Sequence, residues 1–213
     1  MAVILRQGGK HSDYGCSTAR DKVALSVGFV LLPRFTLGAF ANFVDVLRLA
    51  ADEGDRSRPI RCRWRVLSND MSPIMASCGV AISPHERLGD LRRFDYLVVV
   101  GGLLDEEALT VDNRFDSSLK EAAALGIPLI GLCTGSFVLH RAGLLGGYRC
   151  CVSWFHTSDF LARFKGLHAV SDQIFVVDRD RLTCSGGRAQ LTWRLSWSSD
   201  TWAKLLPRKA CGL

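Results

Sequence analysis

The chain alternates short, wholly apolar runs with longer segments in which apolar residues recur every three to four positions. Apolar runs over residues 23–32, 96–100 and 127–132 are typical of strands buried on both faces of a parallel sheet. Helical spacing over residues 37–53 predicts an amphipathic helix after the first run. An acidic N-cap candidate and a glycine at position 126 predict a second helix over residues 112–125. This alternation predicts a doubly wound α/β fold, in which ligands bind beyond the carboxyl ends of the strands.

Shorter patterns predict the remaining elements. Residues 61–67 alternate arginines with Cys62, Trp64 and Val66, which predicts a half-exposed edge strand. Residues 77–79 and 178–180 predict the turns of two hairpins. A strand at residues 150–153 and a helix from Trp154 to near Gly166 are expected between those hairpins.

Residues 127–139 carry the most informative motif. The apolar run leads into Gly131-Leu132-Cys133-Thr134-Gly135, where glycines flank a cysteine before an apolar helix. This spacing is typical of a nucleophile elbow, a tight strand-to-helix turn that pushes one side chain into a pocket. The N–H groups and positive dipole end of the helix favour a thiolate or an anion there. The motif leaves catalysis and binding open, and an inert core cysteine is the alternative.

Turn segments define where that pocket is expected. Residues 33–38, Gly101-Gly102 and residues 132–135 all follow predicted strands. Because the carboxyl ends of parallel strands share one edge of a sheet, these three segments are expected to converge around Cys133.

Composition fits one globular domain. The chain has 213 residues, of which 48% are hydrophobic, enough to bury a sizeable core. We expect a mobile leader at residues 1–22, a domain at residues 23–187 and an atypical tail at residues 188–213. No apolar run reaches the roughly 18 residues that a membrane-spanning helix needs, and no signal peptide is visible, so we expect a cytoplasmic protein that does not insert into membranes.

Charge and cysteine usage exclude two classes of site. The formal net charge is +6, but residues 188–213 hold five basic residues and one acidic residue, so the domain itself is nearly neutral and predicts no basic face for nucleic acid. The eight cysteines contain no Cys-x-x-Cys pair, which favours reduced thiols over a metal centre. We expect neither a metal nor a cofactor.

The motifs resemble the PfpI/ThiJ superfamily of class I glutamine-amidotransferase-like domains, and within it the GlxA-like sensor domains of AraC-family transcriptional regulators. The resemblance covers about residues 23–187. The matching stretches are residues 27–37, 44–50, 98–102, 131–139, 142–145 and 182–187. It implies a flavodoxin-like, mostly parallel sheet with helices on both faces and the cysteine on the elbow.

The same resemblance bears on catalysis. Enzymes of the superfamily surround the elbow cysteine with a carboxylate and a histidine. Alignment of the motifs puts the carboxylate position near Ala39, with no Asp or Glu over residues 31–44, and puts the histidine position at Trp154, two residues before His156. A cysteine without a base or cationic neighbour is a poor nucleophile. We therefore expect a receptor, and keep as the alternative a hydrolase or glyoxalase-like enzyme that uses Cys133 and His156.

As a receptor, the domain is expected to bind a small nitrogenous metabolite, such as an amino acid or a methylated amine. An aromatic ring at Trp154 would suit a cationic ligand. The predicted ligand-binding residues are Cys133, Thr134, Gly102, Trp154, Phe35, Asn42 and His156. The resemblance also implies a homodimer.

The tail departs from the family pattern. Where a DNA-binding pair of helix-turn-helix units would follow, residues 188–202 hold three of the five tryptophans. We interpret this as a frame shift or truncation, so that DNA would be bound only through a C-terminal domain that is missing here.

Overall fold

The computed structural model describes residues 25–51, 62–103, 113–152, 158, 162 and 168–186. The strands are β1 Leu25–Leu31, β2 Cys62–Ser68, β3 Ile74–Met75, β4 Ala81–Ile82, β5 Glu86–Arg87, β6 Tyr96–Val100, β7 Leu129–Leu132, β8 Arg149–Cys151, β9 His168–Val170, β10 Phe175–Asp178 and β11 Arg181–Cys184. The helices are α1 Leu37–Ala51, α2 Asn113–Ala124 and α3 Gly135–Arg141, with a 3-10 turn at Leu91–Arg93.

Seven strands form the central sheet, in the order β10-β11-β7-β6-β1-β2-β5. Every neighbouring pair is parallel except β10 and β11, which form an antiparallel hairpin at one edge. The wholly apolar runs occupy the centre, as expected for strands covered on both faces. The prediction of a doubly wound, mostly parallel sheet is confirmed.

Successive side chains of the central strands enter two separate cores. Val98 and Val100 of β6 belong to a core that also holds Phe29 of β1 and Phe43 of α1. Val99 belongs to the opposite core. That opposite core holds Leu119 and Ala122 of α2 together with Phe137 and Leu139 of α3. Since burying a Phe or Leu side chain contributes roughly 1.5–3 kcal/mol, these contacts fix the helices on both faces of the sheet.

Short elements differ from the sequence-based expectation. We expected β2 to be an edge strand, but Leu67 and Ser68 at its end pair with Glu86 and Arg87 of β5, so that interpretation was wrong there. The pairing of β8 with β9 in a separate two-stranded sheet was not predicted, because three-residue strands carry too little periodicity. The hairpin at residues 77–79 is confirmed by the antiparallel pairing of β3 and β4.

Several predictions fall outside the described residues. These are the leader at residues 1–22, the tail at residues 188–213 and most of the helix expected at residues 154–166, so the domain boundaries stay predictions. Within the described part of the chain, no helix is long and apolar enough to cross a bilayer.

Candidate functional site

Cys133 occupies a strained turn between β7 and α3. Its φ angle is +56°, in the left-handed region that costs a non-glycine residue roughly 1–2 kcal/mol. The following Gly135 passes so close to β6 that an added Cβ would lie 2.2 Å from the carbonyl oxygen of Val99. The predicted elbow therefore forms, and glycine is required where the chain turns into the helix.

The three predicted turn segments meet at this elbow. An added Cβ at Gly102 would lie 1.9 Å from the carbonyl oxygen of Arg34, and one at Gly101 would lie 2.3 Å from Oγ1 of Thr134. The Thr134 hydroxyl donates a buried hydrogen bond of 3.0 Å to the carbonyl oxygen of Gly102. These contacts tie the loops after β1, β6 and β7 together at the carboxyl edge of the sheet.

Thr36 supplies a hydrogen-bonding group to the thiol that the sequence analysis did not single out. Its Oγ1 lies 3.5 Å from Sγ of Cys133, and its backbone N–H donates to the carbonyl oxygen of Gly101 at 2.9 Å. The available signal was its place in the turn between a buried strand and a helix, at the edge where ligands bind. Ala39, where the resemblance places a carboxylate in related enzymes, is only 1% exposed and packs in the core.

The end of β11 forms another wall beside the elbow. Cys184 pairs in register with Leu132, and two residues later Gly186 lies so close that an added Cβ would be 2.9 Å from Sγ of Cys133. Burial raises the pKa of Cys184 to about 12 and that of Cys151 to about 11. Both thiols are therefore protonated at neutral pH and unsuited to act as nucleophiles.

The predicted ligand-binding residues are only partly accounted for by this arrangement. Cys133, Thr134 and Gly102 come together, as the contacts above describe. Phe35 is 0% exposed and packs edge-on to Phe40 with ring centroids 6.1 Å apart, a position that favours a core role.

The other predicted residues lie farther away or outside the described part. Asn42 is half-buried in α1, and six residues of helix put it about 9 Å along the axis from Thr36. Trp154 and His156 lie outside the described residues. The assignment of ligand contacts to all of these positions stays a prediction.

A shallow cleft of about 50 Å³ lies at the opposite edge of the sheet, lined by the amino-terminal ends of β6, β7 and β11. Its charged residues have partners within the protein. Nη1 of Arg181 lies 2.6 Å from Oδ2 of Asp180, and the Arg179 guanidinium lies 3.7 Å from the ring centroid of Tyr148. These contacts stabilise the β10–β11 turn, and the cleft is remote from Cys133. We regard it as a structural feature.

Among the described residues, no group of three or more His, Cys, Asp or Glu side chains is arranged to hold a metal ion. The described groups at the elbow are one partly exposed thiol, the hydroxyls of Thr36 and Thr134, and the surrounding backbone.

Comparison with known proteins places this fold and motif in context. The model of the DJ-1/PfpI family matches residues 50–198, which runs past the domain end expected at residue 187. The HTH-type transcriptional regulator GbdR of Pseudomonas aeruginosa is 36% identical over 170 residues, covering 80% of this chain and 45% of the regulator. Isonitrile hydratase of Pseudomonas putida is 28% identical over 182 residues, covering 84% of this chain and 72% of the hydratase.

A solved structure agrees with these sequence relatives. The crystal structure of an AraC family transcriptional regulator from Pseudomonas putida superimposes with a TM-score of 0.67 at 26% identity, over 85% of this chain and 97% of that one. The chain spans about half the length of the curated regulators it matches. The fold, the elbow cysteine and the family match together establish that this chain belongs to the DJ-1/PfpI family.

Proposed function

We propose that this chain is the small-molecule-sensing domain of a transcriptional regulator, and that it binds a nitrogenous metabolite at the elbow pocket without transforming it. The observation that carries the proposal is the neutral hydroxyl of Thr36 beside the Cys133 thiol. Its thiol faces the Thr36 hydroxyl at 3.5 Å, and residues 31–44 supply no Asp or Glu.

The hydroxyl beside Cys133 suits ligand binding better than nucleophilic catalysis. A cysteine nucleophile needs a base or a nearby cation to form and hold the thiolate, and a threonine hydroxyl supplies neither. A hydroxyl and a thiol can instead donate and accept hydrogen bonds toward a small polar ligand. An aromatic wall at Trp154 would add affinity for an ammonium group through its ring face.

The relatives support a regulatory role. Two of the curated relatives named HTH-type transcriptional regulators, GbdR and CdhR, are 36% and 34% identical to this chain over 170 and 163 residues. In those proteins the matched region is 45–46% of the whole chain, so sensing is proposed for this domain and DNA binding is not assigned to its described residues.

Calorimetry tests the sensing role. Titrating the chain with the common amino acids and with glycine betaine, choline and related methylated amines should reveal saturable binding to one chemical class. Trp154→Ala and Cys133→Ala should weaken that binding, while Cys78→Ser, an exposed thiol on the β3–β4 turn, should leave it unchanged. Failure of every compound to bind would refute the receptor role with these ligands.

A second function is favoured by one specific observation, the similarity to isonitrile hydratase over 72% of that enzyme. Under this alternative Cys133 is the nucleophile of a hydrolase or lyase, with His156 as its base. The strained turn at Cys133 is compatible with such a role, because a positive φ exposes the side chain at the top of the sheet.

Turnover separates the two functions. Incubation with amide, 2-oxoaldehyde and isonitrile substrates, followed by product analysis, should give no product above the Cys133→Ala background if the domain is a receptor. Product formation that is lost in both Cys133→Ala and His156→Ala would favour the enzyme.

A further inference from the structure

We propose that the amino-terminal half of β2 is a docking site, at which an acidic, extended segment of a partner protein adds as a further strand of the central sheet. The site, called here the β2 edge, consists of Cys62, Arg63, Trp64 and Arg65. It lies at the start of β2, away from the carboxyl edge of the sheet that carries the elbow. The inference therefore holds whether the domain is a receptor or an enzyme.

The strand β5 covers only the far end of β2. Of the seven residues of β2, only Leu67 and Ser68 pair with β5. At Val66, His85 takes the place of a strand. The Val66 N–H donates to Nδ1 of His85 at 2.9 Å, and the His85 N–H donates to the carbonyl oxygen of Val66 at 2.8 Å. Before Val66, no strand in the described part of the chain pairs with this side of β2.

The alternation of the backbone shows which groups the β2 edge presents. Both backbone groups of Val66 point away from β1, since both bond to His85. Neighbouring residues of a strand point their N–H and C=O groups to opposite sides, so those of Trp64 and Cys62 also point away from β1. The Trp64 carbonyl oxygen accepts a long bond of 3.3 Å from Nη1 of Arg65. No described residue bonds to the Trp64 N–H or to the backbone of Cys62, so these groups can pair with an added strand.

Two arginines beside these backbone groups define the charge of the partner. Arg63 is exposed and Arg65 is half-buried, and neither forms an ion pair with a described residue. Glu86 of β5 does not compensate them, because its carboxylate lies 2.9 Å from Nη2 of Arg93. Side chains alternate along a strand, so both arginines lie on one face of the sheet and Trp64 lies on the other.

These arginines make a second copy of this chain a poor occupant. Pairing β2 with β2 of another copy would bring arginines together across the strands, and like charges there are destabilising. An acidic side chain facing Arg63 or Arg65 is instead stabilising. On the opposite face, apolar residues of the added strand would pack beside Trp64, which is partly buried against the core beneath α1. The partner segment is therefore one that alternates acidic with apolar residues and binds by β-augmentation.

Fluorescence anisotropy with the full chain tests the β2 edge. The probe is a fluorescein-labelled peptide of about six residues, the usual length of a strand, that alternates glutamate with valine. It should bind saturably, and more weakly as the salt concentration rises. Two control peptides should bind far more weakly: one carries lysine in place of glutamate, and the other has methylated backbone nitrogens that cannot donate to β2.

Variants of the protein locate the binding. Arg63→Ala should raise the dissociation constant of the glutamate peptide by about 1.5- to 5-fold, because one opposite-charge pair across the strands is lost. Arg149→Ala removes an exposed arginine from β8, which contacts β10 at the other edge of the sheet, and should leave the affinity unchanged. Trp64→Pro deletes an outward N–H, a change that edge strands tolerate. It should weaken binding more than Trp64→Val, which keeps that N–H.

Several outcomes would overturn the proposal. Absence of binding, or equal affinity for the glutamate and lysine peptides, would exclude an acidic strand as the partner. Equal affinity for the methylated peptide or for a DNA duplex would show that charge alone is recognised and that no strand is added. Undiminished binding in both Arg63→Ala and Trp64→Pro would place the peptide elsewhere. If Trp64→Pro does not fold, Arg63→Ala and the methylated peptide still decide the question.

Discussion

The Thr36 hydroxyl and the Cys133 thiol lie 3.5 Å apart, although 97 positions separate the two residues in the chain. Thr36 is held by its backbone hydrogen bond to Gly101, and Cys133 is held by the elbow turn. The pair therefore joins the loop after β1 to the loop after β7 at the carboxyl edge of the sheet. A neutral hydrogen-bond partner of this kind orients a thiol without ionising it.

Thr36→Val should weaken ligand binding while leaving the fold intact. Valine has nearly the same shape and keeps the backbone N–H that donates to Gly101, but it removes the hydroxyl that orients the thiol. A neutral hydrogen bond contributes roughly 0.5–1.5 kcal/mol, so the dissociation constant should rise by about 2- to 10-fold. Calorimetry with the ligand identified in the screen measures the change.

The matched control is Thr36→Ser, which retains a hydroxyl at the same position. Its affinity should stay close to that of the unaltered chain, and thermal unfolding of both variants should be nearly unchanged. Equal loss of affinity in the valine and serine variants would argue that packing of the threonine methyl group, and not the hydroxyl, matters.

Thr134→Val should destabilise the pocket loops. The Thr134 hydroxyl donates 3.0 Å to the carbonyl oxygen of Gly102 in a buried position, and valine would leave that oxygen without this donor. Loss of one partner of a buried hydrogen bond costs roughly 1–3 kcal/mol, so chemical denaturation should show a decrease of that size. Thr134→Ser keeps the donor and should recover most of the stability, whereas a serine variant as unstable as the valine variant would contradict this role.

The sequence predicted a strand well where burial of its side chains defines it, and poorly where the strand is very short. The runs at residues 96–100 and 127–132 are buried on both faces, so hydrophobicity alone identified β6 and β7. β5 and β9 have two and three residues, and such short pairings are set by tertiary contacts that leave no periodic pattern. The edge interpretation of β2 was wrong at Leu67 and Ser68 for the same reason.

The sequence likewise predicted one part of the candidate site and missed another. The Gly-x-Cys-x-Gly spacing is a local backbone requirement, so the elbow at Cys133 was visible in the sequence. Thr36 and Cys184 reach the elbow only because β1 and β11 lie in particular places in the sheet. Strand order cannot be obtained from local pattern, and a threonine or cysteine carries no signal of its own.

Gly186→Ala should disturb the elbow more than an ordinary glycine substitution does. Gly186 has φ of +74°, and the added Cβ would lie 2.8–2.9 Å from Cα, Cβ and Sγ of Cys133. Backbone strain of roughly 1–2 kcal/mol is then joined by a steric clash with the thiol. We expect a lower melting temperature together with slower alkylation of Cys133 by iodoacetamide.

Gly126→Ala separates the effect of backbone strain from that of the steric clash. Gly126 has φ of +73°, but the space where the Cβ would go is open. It should reproduce the backbone strain and leave the alkylation rate of Cys133 unchanged. If both variants lower the melting temperature equally and neither alters alkylation, Gly186 does not press on the thiol as the structure indicates.

Stability should decline as the pH falls below neutrality, in part through His85. The backbone N–H of Val66 donates 2.9 Å to Nδ1 of His85, which requires that nitrogen to be unprotonated. Burial, followed by the charge of Arg65, lowers the pKa of His85, and Glu86 opposes this weakly. The unfolded chain, with a histidine pKa of about 6.5, therefore takes up the proton more readily than the folded one.

The contribution of His85 to the free energy of unfolding is complete above about pH 6.5 and is lost as the pH falls toward the lower pKa of the folded state. His140, whose pKa is also lowered by burial, adds to the same decline. Urea denaturation between pH 7.5 and 5 should show a smaller decline in His85→Asn, because asparagine can accept from Val66 without titrating. His168→Asn, a change at an exposed histidine, should keep the full decline, and an unaltered pH profile in His85→Asn would remove the β2–β5 edge from the explanation.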